Sequence, residues 1–297
     1  MRERLQSYTT FRLGGPCCEL VTAGREEDVR EQVRAWNARG ISWRVMGGGS
    51  NLLVADAGLT EAVLRVVDEA PVCSLEFQAD GSVHLAASAG TGLDAAACFA
   101  VEEGLEGLES ASGIPGTVGG GVCGNAGAFG WQVGETAAAV QVLTREGGLR
   151  VVAGEDAGFG YRVSRFQQSG DVLLKAWFRV RPAVSRSALR EKREEILALR
   201  REKHPDWRVQ RTAGSFFKNL PPVAAGGRRV AAGGLLEAIG AKRMREGGAY
   251  VYEKHANILM AGEGATAADV DQLARRLADA VEGRFRVRLE REVRTWP

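Results

Sequence analysis

Apolar residues recur every three or four positions in five stretches of the chain, which is the spacing of one helix face. The first stretch carries Val29, Val33 and Trp36, and the third carries Leu189, Ile196 and Leu199, all of which we expect to be buried. The spacing predicts helices over residues 26–38, 92–103, 185–203, 233–239 and 266–283.

The last predicted helix has a signal at each end. Thr266, with Asp269 three residues later, is typical of a capping box, and we expect Gly283 to end the helix. Shorter apolar runs predict strands over residues 41–46, 83–87, 140–144, 172–180, 215–218 and 284–294, with a strand pair around 250–260. In the final strand, alternation makes Glu292 a surface charge, no different from Glu290.

Length and composition predict a globular protein of two domains. The chain has 297 residues, of which 45% are hydrophobic and 26% charged. Its composition changes near Pro182, so we expect domains over residues 1–183 and 184–297. A net charge of +2 gives no sign of nucleic acid or membrane binding, and no segment is apolar enough to span a bilayer. A cytoplasmic protein is therefore expected.

The cysteines and histidines do not predict a metal site or a hydrolase. Five cysteines are an odd number without Cys-x-x-Cys spacing, which favours reduced thiols. The three histidines have no second ligand at metal spacing, and a catalytic triad is hard to assemble from them. These residues are Cys17, Cys18, Cys73, Cys98, Cys123, His84, His204 and His255.

Two glycine-rich segments carry the strongest chemical signal. Residues 113–121 read GIPGTVGGG, and residues 46–54 read MGGGSNLLV after a predicted strand. Glycine lets backbone amides approach a bound group, and successive amides can bind a phosphate. Neither segment has the third glycine of a dinucleotide fingerprint or the Gly-Lys-Ser/Thr of a P-loop, which disfavours both folds. Two ordinary glycine-rich turns are the alternative.

Two further segments hold candidate site residues. Residues 212–219, TAGSFFKN, bring Ser215, Lys218 and Asn219 near two aromatic residues; a strand with core phenylalanines is the alternative interpretation. In a strand, Tyr161 and Arg162 lie on opposite sides, and the arginine could bind a carboxylate or phosphate, or simply be exposed. The basic residues between 201 and 211 suit an acidic ligand but are also typical of a solvated helix end.

Together these segments resemble the bacterial UDP-N-acetylenolpyruvoylglucosamine reductases. The resemblance is distributed in order along nearly the whole chain, so it is highly specific. It rests on YTTFRLGG at 8–15, the two glycine segments, GLEGL at 104–108, Tyr161-Arg162, AGSFFKN at 213–219, HAN at 255–257 and LEREVR at 289–294.

The resemblance implies an α+β fold with a vanillyl-alcohol-oxidase (PCMH)-type FAD-binding domain over 1–183, in lobes of about 1–66 and 67–183. A smaller substrate domain follows over 184–297. FAD is expected to be non-covalent, since no histidine flanks either glycine segment. The implied FAD-binding residues are Gly47, Gly48, Gly49, Ser50, Asn51, Leu52, Gly113, Ile114, Pro115, Gly116, Thr117, Gly119, Gly120, Asn125 and Gly127.

The resemblance also implies the chemistry, a step in peptidoglycan precursor synthesis. NADPH reduces the flavin, the oxidised nicotinamide departs, and enolpyruvyl-UDP-N-acetylglucosamine then receives the hydride at its terminal vinyl carbon to give UDP-N-acetylmuramate. Ser215 matches the proton donor, while Arg162 and Glu292 match the pair that polarises the substrate carboxylate. Tyr161, Lys218 and Asn219 match substrate or nicotinamide contacts. NADPH and the UDP-sugar are the expected partners of a monomer.

The chain departs from the family pattern in three places. Leu220 stands where proline is usual, Thr212 where asparagine or serine is frequent, and residues 221–229 form an enlarged loop. The short separation between Tyr161 and Ser215 indicates the subtype without an extra tyrosine-bearing loop. Two other functions stay open: a flavin oxidase of the same fold acting on a sugar or alcohol, and a non-catalytic UDP-sugar or nucleotide-binding module.

Overall fold

The computed structural model describes residues 3–224 and 226–297. The first two residues of the predicted FAD-binding domain and residue 225 of the loop 221–229 lie outside the described residues. The chain forms two compact units. Unit 1 comprises the described residues up to Cys18, Gly49–Thr60 and Arg201–Pro297; unit 2 comprises Glu19–Gly48 and Glu61–Arg200. The domain boundary at 183/184 and the lobe boundary stay predictions.

The described residues form a mixture of helices and strands, which we number in chain order. The helices are α1 Glu26–Ala38, α2 Leu93–Glu102, α3 Val118–Gly124, α4 Val133–Thr136, α5 Phe166–Ser169, α6 Arg186–Lys203, α7 Ala232–Ala238 and α8 Ala267–Phe285, with 3-10 turns at Leu5–Tyr8, Glu109–Ala111, Gly154–Ala157 and Ala241–Arg243. The strands are β1 Leu20–Ala23, β2 Trp43–Met46, β3 Leu52–Val54, β4 Ala62–Val66, β5 Cys73–Phe77, β6 Val83–Ser88, β7 Leu105–Glu106, β8 Gly127–Ala128, β9 Trp131–Gln132, β10 Ala137–Leu143, β11 Leu149–Ala153, β12 Val172–Pro182, β13 Thr212–Ser215, β14 Arg245–Glu246, β15 Ala249–Val251, β16 Ile258–Ala261 and β17 Arg294–Trp296.

Unit 2 contains two main sheets. A three-stranded parallel sheet has the order β1-β4-β2, with α1 as the crossover between β1 and β2. A larger antiparallel sheet has the order β11-β10-β12-β6-β5, with β7 paired to β12. Val29, Val33 and Trp36 of α1 are fully buried, which confirms the first predicted stripe. The glycine segment 46–49 follows β2 directly, so the parallel sheet fixes where that segment begins.

Unit 1 is built on an antiparallel sheet of order β13-β16-β15-β14 and on the parallel pair β17-β3. Phe216, Phe217, Leu273 and Leu277 belong to its buried core. Helix α8 begins with the predicted capping box, in which the Thr266 hydroxyl oxygen accepts a hydrogen bond from the Asp269 amide. Amphipathic spacing, capping and core packing therefore agree in this unit.

Two predictions about α8 and the residues after it are wrong. The helix does not end at Gly283 but continues to Phe285, and Arg286 ends it with a φ of 59°. The predicted strand over 284–294 is reduced to β17, which pairs in parallel with β3, and to a single bridge between Phe217 and Arg291. Apolar alternation over 285–293 was therefore a weaker determinant than continuation of the helix.

The predicted buried stripe of α6 is also wrong in part. Leu189 and Ile196 are buried, but Leu199 is 39% exposed. The side chains of Arg193 and Arg200 lie on the inward face instead, the first against Asp94 and the second against Gly113. Arg193 and Arg200 are charged, so a pattern based on apolar residues predicts them to be exposed although they lie inward.

Among the helices of the described residues, none is both long and apolar enough to cross a membrane. The described residues likewise contain no group of three or more His, Cys, Asp or Glu side chains that could hold a metal ion.

Candidate active site

The two glycine segments meet in unit 2. A Cβ atom on Gly47 would lie 2.3 Å from the Thr117 hydroxyl oxygen, and one on Gly48 would lie 3.2 Å from the Gly116 Cα. A Cβ on Gly47 would force Thr117 to shift, and one on Gly48 would be tighter than most real Cβ contacts. The close packing of residues 47–48 on residues 116–117 therefore favours glycine at both positions. Backbone of this kind, where it is partly exposed, can receive a phosphate.

The first part of the second segment is held by α2 and by α6. Gly113 has a φ of 73°, and its amide donates to the Asp94 carboxylate over 2.8 Å. The amide of Ile114 donates to the carbonyl of Ala111, and Ile114 packs against the unit 2 core before Pro115. This part of the segment is fixed by protein contacts before the chain reaches Gly116.

The amides that open α3 are already used within the protein. Val118 and Gly119 donate to the carbonyls of Thr91 and Ala89 over 2.8 and 2.9 Å, and Gly120 donates to the Thr117 hydroxyl over 3.2 Å. Glycine is required at 119 because a Cβ there would lie 2.9 Å from the Ala89 Cβ. FAD contacts of Gly119 and Gly120 stay predictions, and their amides have protein partners.

Asn125 ties the second glycine segment to the Arg162 turn. Its side chain is fully buried, donates to the Gly160 carbonyl over 2.7 Å and accepts the Gly134 amide over 2.8 Å. The guanidinium of Arg162 in turn donates to the Gly127 carbonyl over 2.8 Å. Asn125 and Gly127, which the resemblance assigns to FAD, therefore also orient the segment that carries Arg162.

The prediction that Tyr161 and Arg162 lie on opposite sides of a strand is wrong. Residues 160–163 form a tight turn closed by reciprocal hydrogen bonds between Gly160 and Val163. Arg162 has a φ of 58°, and its guanidinium carbon lies 5.2 Å from the centre of the Tyr161 ring. The turn places the two side chains together, which strand periodicity does not allow. A positive φ at arginine is costly and is kept where surrounding contacts enforce it.

The second half of the first glycine segment belongs to unit 1. Gly49 has a φ of 62°, and a Cβ there would lie 2.0 Å from the Tyr8 carbonyl oxygen. The carbonyl of Ser50 accepts the Thr10 hydroxyl, and Leu52 begins β3 opposite Arg294. These contacts bring the motif at 8–15 and the first glycine segment together within unit 1.

Asn51 connects that segment to Glu292. Its side-chain amide donates to the Glu292 carbonyl over 3.1 Å, and its own carbonyl accepts the Arg294 amide over 3.2 Å. The amide of Glu292 donates to the Phe216 carbonyl over 2.8 Å, next in sequence to Ser215. Unit 1 thus brings the backbones of Ser215, Glu292 and Asn51 together, although nothing in the sequence spacing distinguishes Glu292 from Glu290.

Ser215 ends β13 rather than beginning a strand over 215–218, so that predicted strand is misplaced by three residues. Gly214 has a φ of 75° with open space at its Cα, and the ladder between β13 and β16 shifts register there. The buried Thr212 hydroxyl accepts the Gly214 amide and donates to the Leu259 carbonyl. Thr212, a departure from the family pattern, therefore holds the bend that presents Ser215.

Asn257 is a positioning residue that sequence reasoning did not single out. Its side chain is 3% exposed, accepts the Phe217 amide over 2.9 Å and donates to the Phe217 carbonyl over 2.8 Å. Its backbone carbonyl also accepts the amide of Phe216. The Asn257 side chain thus makes the two backbone hydrogen bonds that a neighbouring strand would otherwise make to Phe217. Only its place in the motif HAN indicated it.

Lys218 and Asn219 have protein partners in unit 1. The Lys218 ammonium lies 2.5 Å from the Glu290 carboxylate. The Asn219 side-chain oxygen accepts the amide of Ala232, the first residue of α7, over 3.1 Å. Leu220, where proline is usual, donates its amide to Val230 and closes the enlarged loop. A proline could not make that bond.

Burial perturbs one histidine near this region. The rings of His204 and His255 lie 5.8 Å apart, and burial lowers the pKa of His255 below its ordinary value of 6.5. The ring nitrogen Nδ1 of His255 accepts the amide of Asn257 over 3.2 Å. A neutral imidazole is needed for that bond, so the pKa shift and the geometry agree.

Comparisons with known protein families match two segments of the chain. Residues 205–296 match the C-terminal domain of UDP-N-acetylenolpyruvoylglucosamine reductase, and residues 19–153 match an FAD binding domain. A reductase of that name from Heliobacterium modesticaldum is 38% identical, over 99% of this chain and 89% of the relative. The chain belongs to the UDP-N-acetylenolpyruvoylglucosamine reductase family.

Two further relatives of the same name agree. The one from Carboxydothermus hydrogenoformans is 34% identical over 98% of this chain and 91% of its own length. A crystal structure of the enzyme from Thermus caldophilus is similar with a TM-score of 0.80 and 31% identity, covering 100% of this chain and 98% of that one. The predicted fold class is confirmed: an α+β protein with a PCMH-type FAD-binding domain and the C-terminal domain of this reductase family.

The residues of unit 2 fit a flavin dinucleotide by their own geometry. Gly47, Gly48 and Gly116 are partly exposed, so backbone is accessible to a ligand where residues 47–48 meet 116–117. Gly113 has a φ of 73°, and Gly116 has one of 104°. Backbone surfaces of this kind bind phosphate oxygens, and FAD carries a diphosphate.

Proposed function

We propose that this chain is an FAD-dependent oxidoreductase that uses NADPH to reduce enolpyruvyl-UDP-N-acetylglucosamine to UDP-N-acetylmuramate. One observation carries the proposal: in a chain that matches this reductase family from end to end, the Ser215 and Glu292 backbones are joined through Phe216 and fixed by Asn51. In the reaction the vinyl group gains one hydride and one proton, and NADPH becomes NADP⁺. Bound FAD supplies the two-electron relay between them.

Ser215 is proposed to donate the proton to the carbon next to the carboxylate. A serine hydroxyl is a weak acid, so it needs a strongly basic acceptor and a fixed position. The bend at Gly214 and the bridge between Ser215 and Ile258 supply the fixed position. The open space at the Gly214 Cα leaves room for a substrate on that side of the strand.

Arg162 and Glu292 are proposed to stabilise the charge that develops on the substrate carboxylate. Preorganised groups contribute most when they need not move during the reaction. Arg162 is preorganised by its bond to Gly127, and the Glu292 backbone by its bonds to Phe216 and Asn51. Tyr161, Lys218 and Asn219 are proposed to contact the sugar nucleotide or the nicotinamide, as the family resemblance implies.

The test follows the visible absorbance of the flavin under anaerobic conditions. NADPH should bleach the band, and the enolpyruvyl sugar nucleotide should restore it. Ser215→Ala should bind FAD and be bleached by NADPH but should not recover with the sugar nucleotide. Ser74→Ala, at an exposed position of β5, is the matched control and should behave as the wild type. Normal recovery in Ser215→Ala would remove that residue from the mechanism.

The same experiment separates the alternatives. Recovery with oxygen alone, and not with the sugar nucleotide, would indicate a flavin oxidase. Absence of any flavin, even after FAD is added, would indicate a non-catalytic nucleotide-binding module. A monomer in the cytoplasm without nucleic-acid or membrane partners stays a prediction, and sedimentation of the FAD-loaded protein tests the oligomeric state.

A further inference from the structure

The side chain of Arg200 lies against the second glycine segment in unit 2. A Cβ on Gly113 would lie 2.7 Å from the Arg200 Cδ and 3.4 Å from its Nε. The Arg200 guanidinium carbon lies 5.1 Å from the centre of the Phe129 ring. The absence of a side chain at Gly113 therefore lets this arginine pack on the backbone of the segment.

The buried part of this guanidinium lacks a polar partner. Its Nε and Nη2 atoms are inaccessible and form no hydrogen bond within the described residues. Burial lowers the pKa of Arg200 to about 10, so the group is still charged at neutral pH. Burying a charge without a partner is costly, and buried charges in proteins are normally paired.

The nearby carboxylate is already engaged by other groups. One oxygen of Asp94 accepts the Arg193 guanidinium over 2.7 Å and the Gly113 amide over 2.8 Å. Two arginines of helix α6 therefore lie at this segment. Arg193 binds the carboxylate that holds Gly113, and Arg200 packs directly on Gly113. A second buried polar atom without a partner, the Ser112 hydroxyl, precedes Gly113 directly.

We propose that Arg200 binds a phosphate oxygen of a diphosphate-bearing ligand at the Gly113 segment. The inference deepens the proposed function and rests on it. Arginine suits a phosphate because its planar fork donates several hydrogen bonds and keeps its charge. The amides at the start of α3 already have protein partners, so a side-chain donor supplies what they do not. Three ligands of the proposed reaction carry a diphosphate: FAD, NADPH and the UDP-sugar.

Arg200 lies outside both matched family segments, which cover residues 19–153 and 205–296. Under this proposal, helix α6 contributes a residue to the ligand site although neither matched segment includes it. Its inward face combines the buried Leu189 and Ile196 with Arg193 and Arg200, so an apolar stripe describes that face only in part.

The test compares Arg200→Met with Arg200→Lys and with Arg190→Met, an exposed arginine of the same helix. FAD is titrated into FAD-free protein by quenching of flavin fluorescence, and UDP and NADP⁺ are titrated separately into FAD-loaded protein. We expect Arg200→Met to raise one dissociation constant about 10- to 100-fold, Arg200→Lys to raise it less, and Arg190→Met to leave it unchanged. A raised Kd for FAD identifies the flavin diphosphate, a raised Kd for UDP identifies the sugar nucleotide, and a raised Kd for NADP⁺ identifies the nicotinamide dinucleotide.

Two further readouts separate a ligand contact from a packing role. The thermal midpoint of FAD-free Arg200→Met should be equal to or above that of the wild type, because an unpaired buried charge is removed. Added NaCl should weaken binding more steeply in the wild type than in the variant. Unchanged dissociation constants for FAD, UDP and NADP⁺ would overturn the proposal, and so would weaker binding that keeps the salt dependence of the wild type. A wild type that binds none of the three would overturn the proposed function as well.

Discussion

Asn257 offers the sharpest test of how the fold presents Ser215. Its side chain makes both backbone hydrogen bonds of Phe217, two residues after the serine, from a position that is 3% exposed. On either side, the Lys218 amide donates to the Glu290 carbonyl and the Glu292 amide donates to the Phe216 carbonyl. These bonds join residues 216–218 to residues 290–292. Among the described residues, the Asn257 side chain is the hydrogen-bond partner of both backbone polar groups of Phe217. Asn257→Leu removes both bonds and keeps the branching of the side chain.

The cost follows from the number of groups left without a partner. A buried backbone group that loses its partner costs about 1–3 kcal/mol, so two such groups cost about 2–6 kcal/mol of unfolding free energy. Asn257→Asp keeps the shape and can still accept the Phe217 amide, but an ionised carboxylate cannot donate to the carbonyl. The aspartate variant should regain stability as pH falls, because a protonated carboxyl restores the donor.

Urea unfolding of the FAD-free protein measures the stability, and steady-state kinetics with the sugar nucleotide measures the effect on Ser215. The control is Asn37→Leu. This exposed asparagine also makes two hydrogen bonds, to the Arg145 carbonyl and from the Trp43 indole, and water can replace them. We expect the control to cost about 1–2 kcal/mol and to leave turnover unchanged.

The kinetic result separates positioning from folding. If Asn257 orients the segment that carries Ser215, kcat of the folded variant should fall by a larger factor than KM rises, because the proton donor is misplaced after substrate binds. An unfolding free energy of Asn257→Leu within about 1 kcal/mol of the wild type, or full turnover in that variant, would refute the idea that Asn257 holds the Phe217 backbone and thereby positions Ser215.

Three other predictions follow from single contacts. Gly47→Ala should lower stability by about 1–3 kcal/mol and weaken FAD binding, because its Cβ would lie 2.3 Å from the Thr117 hydroxyl oxygen. Gly124→Ala should be neutral or stabilising, because Gly124 lies in a helix and a Cβ there would meet no atom within 4 Å. Equal effects of the two substitutions would contradict the steric explanation. The lowered pKa of His255 means that the unfolded chain takes up its proton first, so stability should fall as pH drops below 6.5, and His255→Gln should flatten that slope in unfolding measurements at several pH values. Two hydrogen bonds between Leu220 and Val230 close the loop 221–229, and Leu220→Pro should lose the one that the Leu220 amide donates and increase proteolysis of the loop. Unchanged cleavage would show that this bond does not hold the loop.

Much of the fold could be predicted from the sequence because its helices are strongly periodic. The helix over 26–38 has the predicted ends, since an acidic first turn precedes the apolar stripe of Val29, Val33 and Trp36. The capping box at Thr266 was read correctly for the same reason: cap chemistry is local. The strand over 284–294 failed because alternation in a short segment cannot distinguish a strand from a helix end and an irregular chain.

The candidate site was harder because its residues depend on distant partners. Glycine content at 47–49 and 113–120 indicated close backbone approach, which the contact with Thr117 bears out sterically. Glu292 could be chosen only through the family resemblance, because its neighbours Asn51 and Phe216 are far away in sequence. Asn257 and Arg200 were missed because a buried amide and a buried guanidinium have no signature in residue spacing.

The glycines of the two segments also serve different physical purposes. Gly47 and Gly119 are needed because neighbouring atoms leave no space for a Cβ, whereas Gly49 and Gly113 adopt positive φ angles. At Gly120 no steric conflict exists, and its amide is capped by the Thr117 hydroxyl. A glycine-rich sequence therefore does not by itself supply free amides to a phosphate. Where the protein has already used those amides, as at residues 118–120, we expect side chains that pack on the glycine backbone to contribute to anion recognition, and Arg200 holds such a position.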